Sequence, residues 1–445
     1  MASSEIYDLI VVGSGFAGCM TALNFLEECK RLNKSSRVAL VEAGKEGERS
    51  GASKWTMAYL RLDKNLDFDD HWVKEMRRVS NGAADEDYCE KLRQEAPLSA
   101  RYLEDHGVKF VHHDEPNVLL EFNTDQHFVF PAGGGNAIIQ SLLTHIKAFD
   151  QADILYQNEA VRLLTTDAGS VRGLKVRKTD GLLHDLLAPT VMLACLKYNK
   201  GAGLRMCLDV GADTAGSFDG MHCELVDIRA DKPDAVIWGH NYGILVNNDC
   251  ERFYDEGERH LFATFEIAAL HTWENQDMSC YFITDDIIMQ RFKGSWVYET
   301  TDKPPEKSDT IEGLAGKLKI DPKKLNKTVD DFNAAINNKD LDLMKLDGKA
   351  TTGLKPNKTN WANPIAKAPF YGFPCTPNLT FTYGGVKTDL HSRVLSHNDI
   401  PIPGLYASGE MTGLFYNEYP PATSCLRSMT FGRLAGTEIA QKIQM

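Results

Sequence analysis

No stretch of the chain approaches the roughly 18 consecutive apolar residues of a membrane-spanning helix, so no membrane span is expected. A concentrated basic block is missing too. The 49 lysines and arginines are outnumbered by 62 aspartates and glutamates, for a formal charge of −13, which argues against nucleic acid as a partner. The ten cysteines never form a Cys-x-x-Cys pair and show no zinc-ligand spacing. Reduced, mostly buried thiols are expected, with no metal site and no disulfide-reductase chemistry. Met1-Ala2-Ser3-Ser4-Glu5 runs almost directly into apolar sequence without a charged n-region, an h-region or a cleavage site, so a cytoplasmic protein is expected. Internal repeats and low-complexity tracts are absent. What is present is ordinary globular composition, 43% apolar and 25% charged, over 445 residues, enough for two or three domains.

The strongest local pattern stands at the front. Leu9-Ile10-Val11-Val12 is a continuous apolar run, as expected of a strand buried on both faces of a parallel sheet. Gly13-Ser14-Gly15-Phe16-Ala17-Gly18 follows at once, then a helical stretch from Cys19 to Leu26, then a second strand, Arg37 to Val41, ending in Glu42. Strand, Gly-x-Gly-x-x-Gly, helix, strand and acid together make the context of a dinucleotide site. Gly13 makes the tight turn, Gly15 admits a pyrophosphate to the backbone amides, and Gly18 lets helix and strand approach. Glu42 can accept hydrogen bonds from a ribose. Ala43 and a small-residue loop, Arg49-Ser50-Gly51-Ala52-Ser53, continue the cradle. A second glycine cluster, Gly133-Gly134-Gly135, opens a helix over 138–147 and is a further candidate anion cradle.

Near the other end stand Thr382-Tyr383-Gly384-Gly385, then Ala407-Ser408-Gly409-Glu410, then Tyr419-Pro420-Pro421-Ala422-Thr423-Ser424-Cys425. With the front motif, these resemble the FAD-dependent fumarate reductase/succinate dehydrogenase flavoproteins, most of all the soluble tricarballylate-dehydrogenase-like branch. The resemblance implies an α/β fold: a Rossmann-like FAD-binding domain split by an inserted α+β capping domain. The boundaries it suggests are 1–216 and 382–445 for the FAD domain and 217–381 for the capping, substrate-binding one. Within the latter, Asp321-Pro322 reads as an N-cap and first helical residue.

Carried over by similarity, Glu410 bonds the ribityl chain, and the amides around Thr423, Ser424, Cys425 and Leu426 face the flavin's pyrimidine edge, where a helix dipole favours negative charge. The cofactor contacts implied are Gly13, Gly15, Phe16, Ala17, Gly18, Glu42, Ala43, Ser50, Ser53, Gly134, Ala160, Val161, Glu410, Ser424, Cys425 and Leu426. Family members with bonded FAD carry a histidine where this sequence runs Ser53-Lys54-Trp55-Thr56-Met57-Ala58, so noncovalent FAD is expected. Leu196-Lys197 stands where the family has two glycines, a departure that bears on the cofactor's surroundings.

The family exchanges a hydride between flavin N5 and a carbon near a carboxylate or carbonyl, and needs cations and a proton shuttle. Arg259, shortly after Arg252-Phe253-Tyr254-Asp255-Glu256, is the candidate active-site cation, one position off the fumarate-reductase spacing; Arg252 reads as an anchor. His222 is a candidate acid/base, and Tyr383 and Tyr419 are candidate phenolic donors. Phe381 and Tyr419 replace the histidine and arginine that clamp the substrate in fumarate reductases. This argues against fumarate or succinate and for a larger or less charged small molecule, a carboxylic acid or an enone. The expected activity is an FAD-dependent oxidoreductase acting on a C–C bond, with oxygen, a quinone or a protein as external electron acceptor. Alternatives are a redox-neutral double-bond isomerase and a flavin-binding protein without chemistry of its own.

Overall fold

The computed structural model describes residues 5–48, 51–112, 128–195, 200–232, 234–292 and 301–443. They divide into two compact units. The first gathers the described residues up to His112, from Phe128 to Met221 and from Thr382 onward; the second runs from His222 to Phe381.

The first unit is built on a six-stranded sheet in the order Arg393–Leu395, Pro401–Ala407, Val191–Leu193, Leu9–Val12, Val38–Val41, Ala152–Leu155. All its pairs are parallel except the first. Every residue of Leu9–Val12, Val38–Val41 and Val191–Leu193 is buried, which is why these strands read as unbroken apolar runs. A four-stranded sheet, Glu5–Ile6, Leu183–Leu187, Val171–Arg177 and Glu159–Thr165, shares its core with the first. Leu174, Val176 and Leu186 belong to one apolar cluster with Ile10, Val12 and Val41.

The first helix, Phe16–Arg31, and the last, Ser424–Lys442, meet through small residues. Thr21 Oγ1 donates to the carbonyls of Ala17 (2.8 Å) and Gly432 (3.0 Å). A Cβ on Gly432 would stand 2.5 Å from the Ala17 carbonyl oxygen, and one on Gly436 would stand 2.7 Å from that of Thr21. The first and last helices are thereby packed together beside the glycine turn.

The second unit has an antiparallel sheet in the order Met221–Asp227, Phe370–Thr382, Cys280–Asp285, Ile244–Val246, with Glu306–Ser308 also paired to Phe370–Thr382. Helices Ile311–Leu318 and Pro322–Ala334 pack on it through Leu314, Leu318, Leu325, Val329 and Phe332. Asp321 caps the second of these by accepting from the Lys323 and Lys324 amides, with Pro322 at the first helical position. All ten cysteines are free, and only Cys195 and Cys425 are not fully buried. No described helix is long and apolar enough to cross a membrane, and no cluster of potential metal ligands occurs among the described residues.

Two glycine substitutions should act in opposite directions. Gly432→Val forces a side chain into the Ala17 backbone and should cost about 1–3 kcal/mol, as overpacking does. Gly316→Ala, inside helix Ile311–Leu318 with open space around its Cβ, should gain about 0.4–1 kcal/mol from chain entropy. Urea midpoints at unchanged slope measure both, and a neutral Gly432→Val would refute the close-contact account.

Candidate active site

In the first unit the glycine turn has the geometry its sequence demands. Gly13 has φ +98°, and a Cβ there would lie 2.5 Å from the Ala194 carbonyl oxygen. A Cβ on Gly18 would fall 1.8 Å from the Gly13 carbonyl oxygen, so helix and strand can meet only at glycine. At Gly15 the nearest neighbour of a Cβ is Ser53 Oγ, at 3.1 Å, and that oxygen accepts weakly from the Phe16 amide (3.4 Å). Ser53 thus stands at the mouth of the first helix, where orphan amides and dipole favour an anion.

Glu42 follows its strand into a buried position. Its carboxylate accepts from the Ser14 amide (3.2 Å), the Ser14 hydroxyl and the Gly44 amide (2.7 Å). The Asn158 amide bonds the Glu42 carbonyl (3.0 Å), which brings the start of strand Glu159–Thr165, with Ala160 and Val161, beside Glu42 and Ala43. Gly134 has φ +64°, and the Gly135 amide donates to Thr56 O (2.8 Å). A Cβ on Gly135 would lie 2.2 Å from Ser53 O and 2.8 Å from the Phe16 ring. These glycines let a helix close on the Ser53–Thr56 turn and on Phe16; the Gly135 amide is committed to that packing. Ser50, Leu196 and Lys197 lie outside the described residues.

The last helix begins where these pieces converge. Burial pushes the Cys425 thiol up to about 11, against the opposing pull of the Ser424 and Thr56 hydroxyls. Tyr419 Oη accepts from the amides of Thr423 and Ser424, both at 3.0 Å, and donates to Ser424 Oγ (3.1 Å). Its ring and that of Tyr383 flank Phe415, at 5.1 and 5.8 Å between centroids. Arg427 is buried over the same Phe415 ring (5.0 Å) and donates to Thr412 O (2.9 Å).

Four buried polar atoms around this point, Ser408 Oγ, Glu410 Oε1, Arg427 Nε and Thr430 Oγ1, have no hydrogen-bond partner among the described residues. Burial pushes the Glu410 carboxyl up to about 7, against the opposing pull of the Thr382 amide and Arg427. Natural interiors seldom leave such atoms unmet. Their presence beside a glycine turn fits a polar cofactor such as FAD, with Glu410 able both to donate and to accept.

The second unit holds His222 and Arg259. His222, on strand Met221–Asp227, has Nδ1 against a Glu266 carboxylate oxygen of helix Leu261–Asn275 and Nε2 3.5 Å from Glu224. Phe265 and Phe381 flank its ring, at 5.0 and 5.1 Å. Burial opposes the charged imidazole, but the two carboxylates outweigh it and raise the pKa to about 9. His222 is thus an imidazolium at neutral pH with a carboxylate at each nitrogen, a fixed charge more than an open proton donor. Arg259 is half-buried at the foot of the same helix. The turn before it is tightly held: Arg252 pairs with Glu256 in the core, and Asn241 Nδ2 donates to the carbonyls of Glu256 (2.7 Å) and Arg259 (3.1 Å). Fully buried Lys358 donates to the carbonyls of Asn241 (2.7 Å) and Gly243 (2.5 Å), with burial bringing its pKa down to about 8.

Sequence reasoning missed Glu224, Glu266, Asn241, Lys358, Phe415 and the buried Arg61, which bonds Asp69 and Glu75. None belongs to a local motif. The prior hint for Arg61 was its place between apolar neighbours, Leu60 and Leu62.

A family model described as an FAD binding domain matches residues 8–219 and 238–425. A fumarate reductase (cytochrome) from Shewanella frigidimarina is 26% identical over 340 residues, 70% of this chain and 55% of that protein. A vinyl phenol reductase from Lactiplantibacillus plantarum is 23% identical across 99% of this chain and 98% of its own. The open conformation of a flavocytochrome c3 fumarate reductase superposes with a TM-score of 0.78 at 21% identity, over 99% of this chain and 79% of that one. The chain spans only 22% to 55% of the length of several curated relatives that it matches. With the model matched over most of the chain, through the glycine turn at the front and the last helix's start at the back, the chain belongs to the FAD binding domain family, that of the fumarate reductase/succinate dehydrogenase flavoproteins.

Proposed function

We propose that this protein is a cytoplasmic oxidoreductase with noncovalently held FAD. It would introduce or reduce a C–C double bond beside a carboxyl or carbonyl group of a small molecule. The observation that carries this is the set of unmet buried polar atoms at Ser408, Glu410, Arg427 and Thr430 beside the glycine turn. Relatives named as fumarate and vinyl phenol reductases support the C–C bond as the site of chemistry.

In this reading residues 1–216 and 382–445 hold the cofactor and 217–381 carry the substrate side. When bound, FAD supplies the hydride acceptor or donor. The chain's own residues do the rest. The Gly13–Gly18 turn offers amides to the pyrophosphate, and Glu42 offers an acceptor to the ribose. Glu410, with a carboxyl near neutrality, meets the ribityl hydroxyls as donor or acceptor. Arg259 is the candidate proton carrier, its backbone held by Asn241. His222 supplies a fixed positive charge, whereas Tyr383 and Tyr419 stand in the first unit with Phe415 between them. Electrons leave to oxygen, a quinone or a protein.

Purified protein should be yellow and should release free FAD on denaturation. Gly15→Val should purify colourless, because a branched side chain fills the approach to the amides. A yellow Gly15→Val protein would remove the pyrophosphate assignment, and wild-type protein that takes up no FAD would remove the cofactor. Arg259→Ala should keep its FAD and lose turnover by at least about 100-fold, the scale of lost acid–base catalysis. Unchanged turnover would exclude Arg259.

The His222 charge also has a pH signature. Its folded pKa, about 9, lies above the ordinary 6.5, so its stabilising contribution is complete below 6.5 and fades as pH rises through 9. His222→Gln leaves Glu224 and Glu266 without their cation. The variant's deficit in thermal midpoint should be large at pH 7 and should narrow by pH 10. A deficit independent of pH would show that packing alone is lost.

A further inference from the structure

The last helix, Ser424–Lys442, lacks the usual side-chain cap: Thr423, its N-cap residue, sends its hydroxyl to Pro420 O (2.9 Å). The acceptor comes from Tyr419 instead. One phenolic oxygen takes both the Thr423 and Ser424 amides at 3.0 Å, and its single proton goes to Ser424 Oγ at 3.1 Å. Its one proton is engaged in this arrangement. The turn that places it is held at some cost. Ala422, a non-glycine residue, has φ +64°, and its carbonyl accepts from the Arg61 amide (2.9 Å). Arg61 is itself pinned in the core by Asp69 and Glu75. The Tyr419 ring is wedged edge-on to Phe415. The Arg427 amide is the first to bond inward, to Thr423 O (2.9 Å). The amides of Cys425 and Leu426 therefore have no acceptor within the helix.

We propose that Tyr419 is a phenolic cap that sets how much of this helix's positive end is left to act on the flavin. The proposal rests on the reading above that FAD binds here. The phenol oxygen, as the negative end of its dipole, sits on two of the four N-terminal amides and offsets part of the helix field. A reduced flavin, or any anionic flavin adduct, is then held less strongly than at an uncapped helix. Tyr419 is thus a positioning residue, one that acts on the cofactor through the helix start.

The test uses holoenzyme and needs no substrate. Sulfite adds to oxidised flavin to give an anionic adduct, and its binding is read from loss of visible absorbance; the midpoint potential is measured in parallel. Tyr419→Phe keeps the ring and removes only the oxygen. Sulfite should bind about two- to five-fold more tightly, the range of a helix-terminal charge effect, and the potential should move positive. Ser424→Ala removes the acceptor of the phenolic proton. Without that bond the oxygen is a weaker acceptor for the two amides, and the change should have the same sign but be smaller. Should Tyr419→Phe not fold, Ser424→Ala decides alone.

Unchanged or weaker sulfite binding with an unmoved potential, in folded variants that carry FAD, would make Tyr419 a cap of purely structural consequence and overturn the proposal. So would a folded Tyr419→Phe protein that has lost FAD. Wild-type protein without FAD would instead fail the underlying reading, and the proposal with it.

Discussion

Everything in the first unit depends on one steric requirement, that the first helix start almost in contact with the strand before it. A Cβ at Gly18 would sit 1.8 Å from the Gly13 carbonyl oxygen, a distance no rearrangement of a side chain relieves. Once Gly13 and Gly18 permit that approach, the helix mouth faces Ser53. The apolar side of the helix then lies along the sheet, and Ala17 and Thr21 are presented to the last helix. Gly432 and Gly436 complete the contact from the other end of the chain. The same few residues therefore shape the nucleotide turn and tie the N-terminal and C-terminal segments together.

Both units bury polar and charged groups. In the first, the residues beside the glycine turn include polar atoms with no partner among the described residues, together with a carboxyl whose pKa burial carries to about 7. Such an arrangement costs stability unless a ligand supplies the missing bonds. In the second, His222 lies between Glu224 and Glu266, Arg252 pairs with Glu256, and Lys358 donates to two carbonyls. These pairs contribute little net stability against an apolar alternative, but removal of one partner leaves an uncompensated buried charge. They hold the turn ahead of Arg259 and the strand bearing His222 in one conformation.

The tyrosines show how context decides chemistry. By residue type Tyr383 and Tyr419 are equivalent phenols near the same motif. In the fold both rest on Phe415, and only Tyr419 is bonded to the amides at a helix start. A phenol that accepts two amides and gives its hydrogen to a serine cannot shuttle a proton without breaking that cap. His222 undergoes a similar change of meaning, from a candidate acid/base to an imidazolium held by two carboxylates.

The sequence by itself determined whatever depends on neighbours within about thirty residues: the buried strands from their apolar runs, the glycine turn, Glu42 after the second strand, the Asp321-Pro322 helix start and the Gly409-Glu410 pair. These are legible because backbone sterics, capping and strand burial act locally, and their spacing is written directly in the chain. Only the tertiary structure decided which groups meet across hundreds of positions. Glu266 reaches His222, Lys358 supports Asn241, and Arg61 braces Ala422, in pairs whose members share no motif and no periodicity. Thr21 finds Gly432 for the same reason: a hydrogen bond or a burial penalty is set by distance in space, and the fold alone makes residues distant in sequence near.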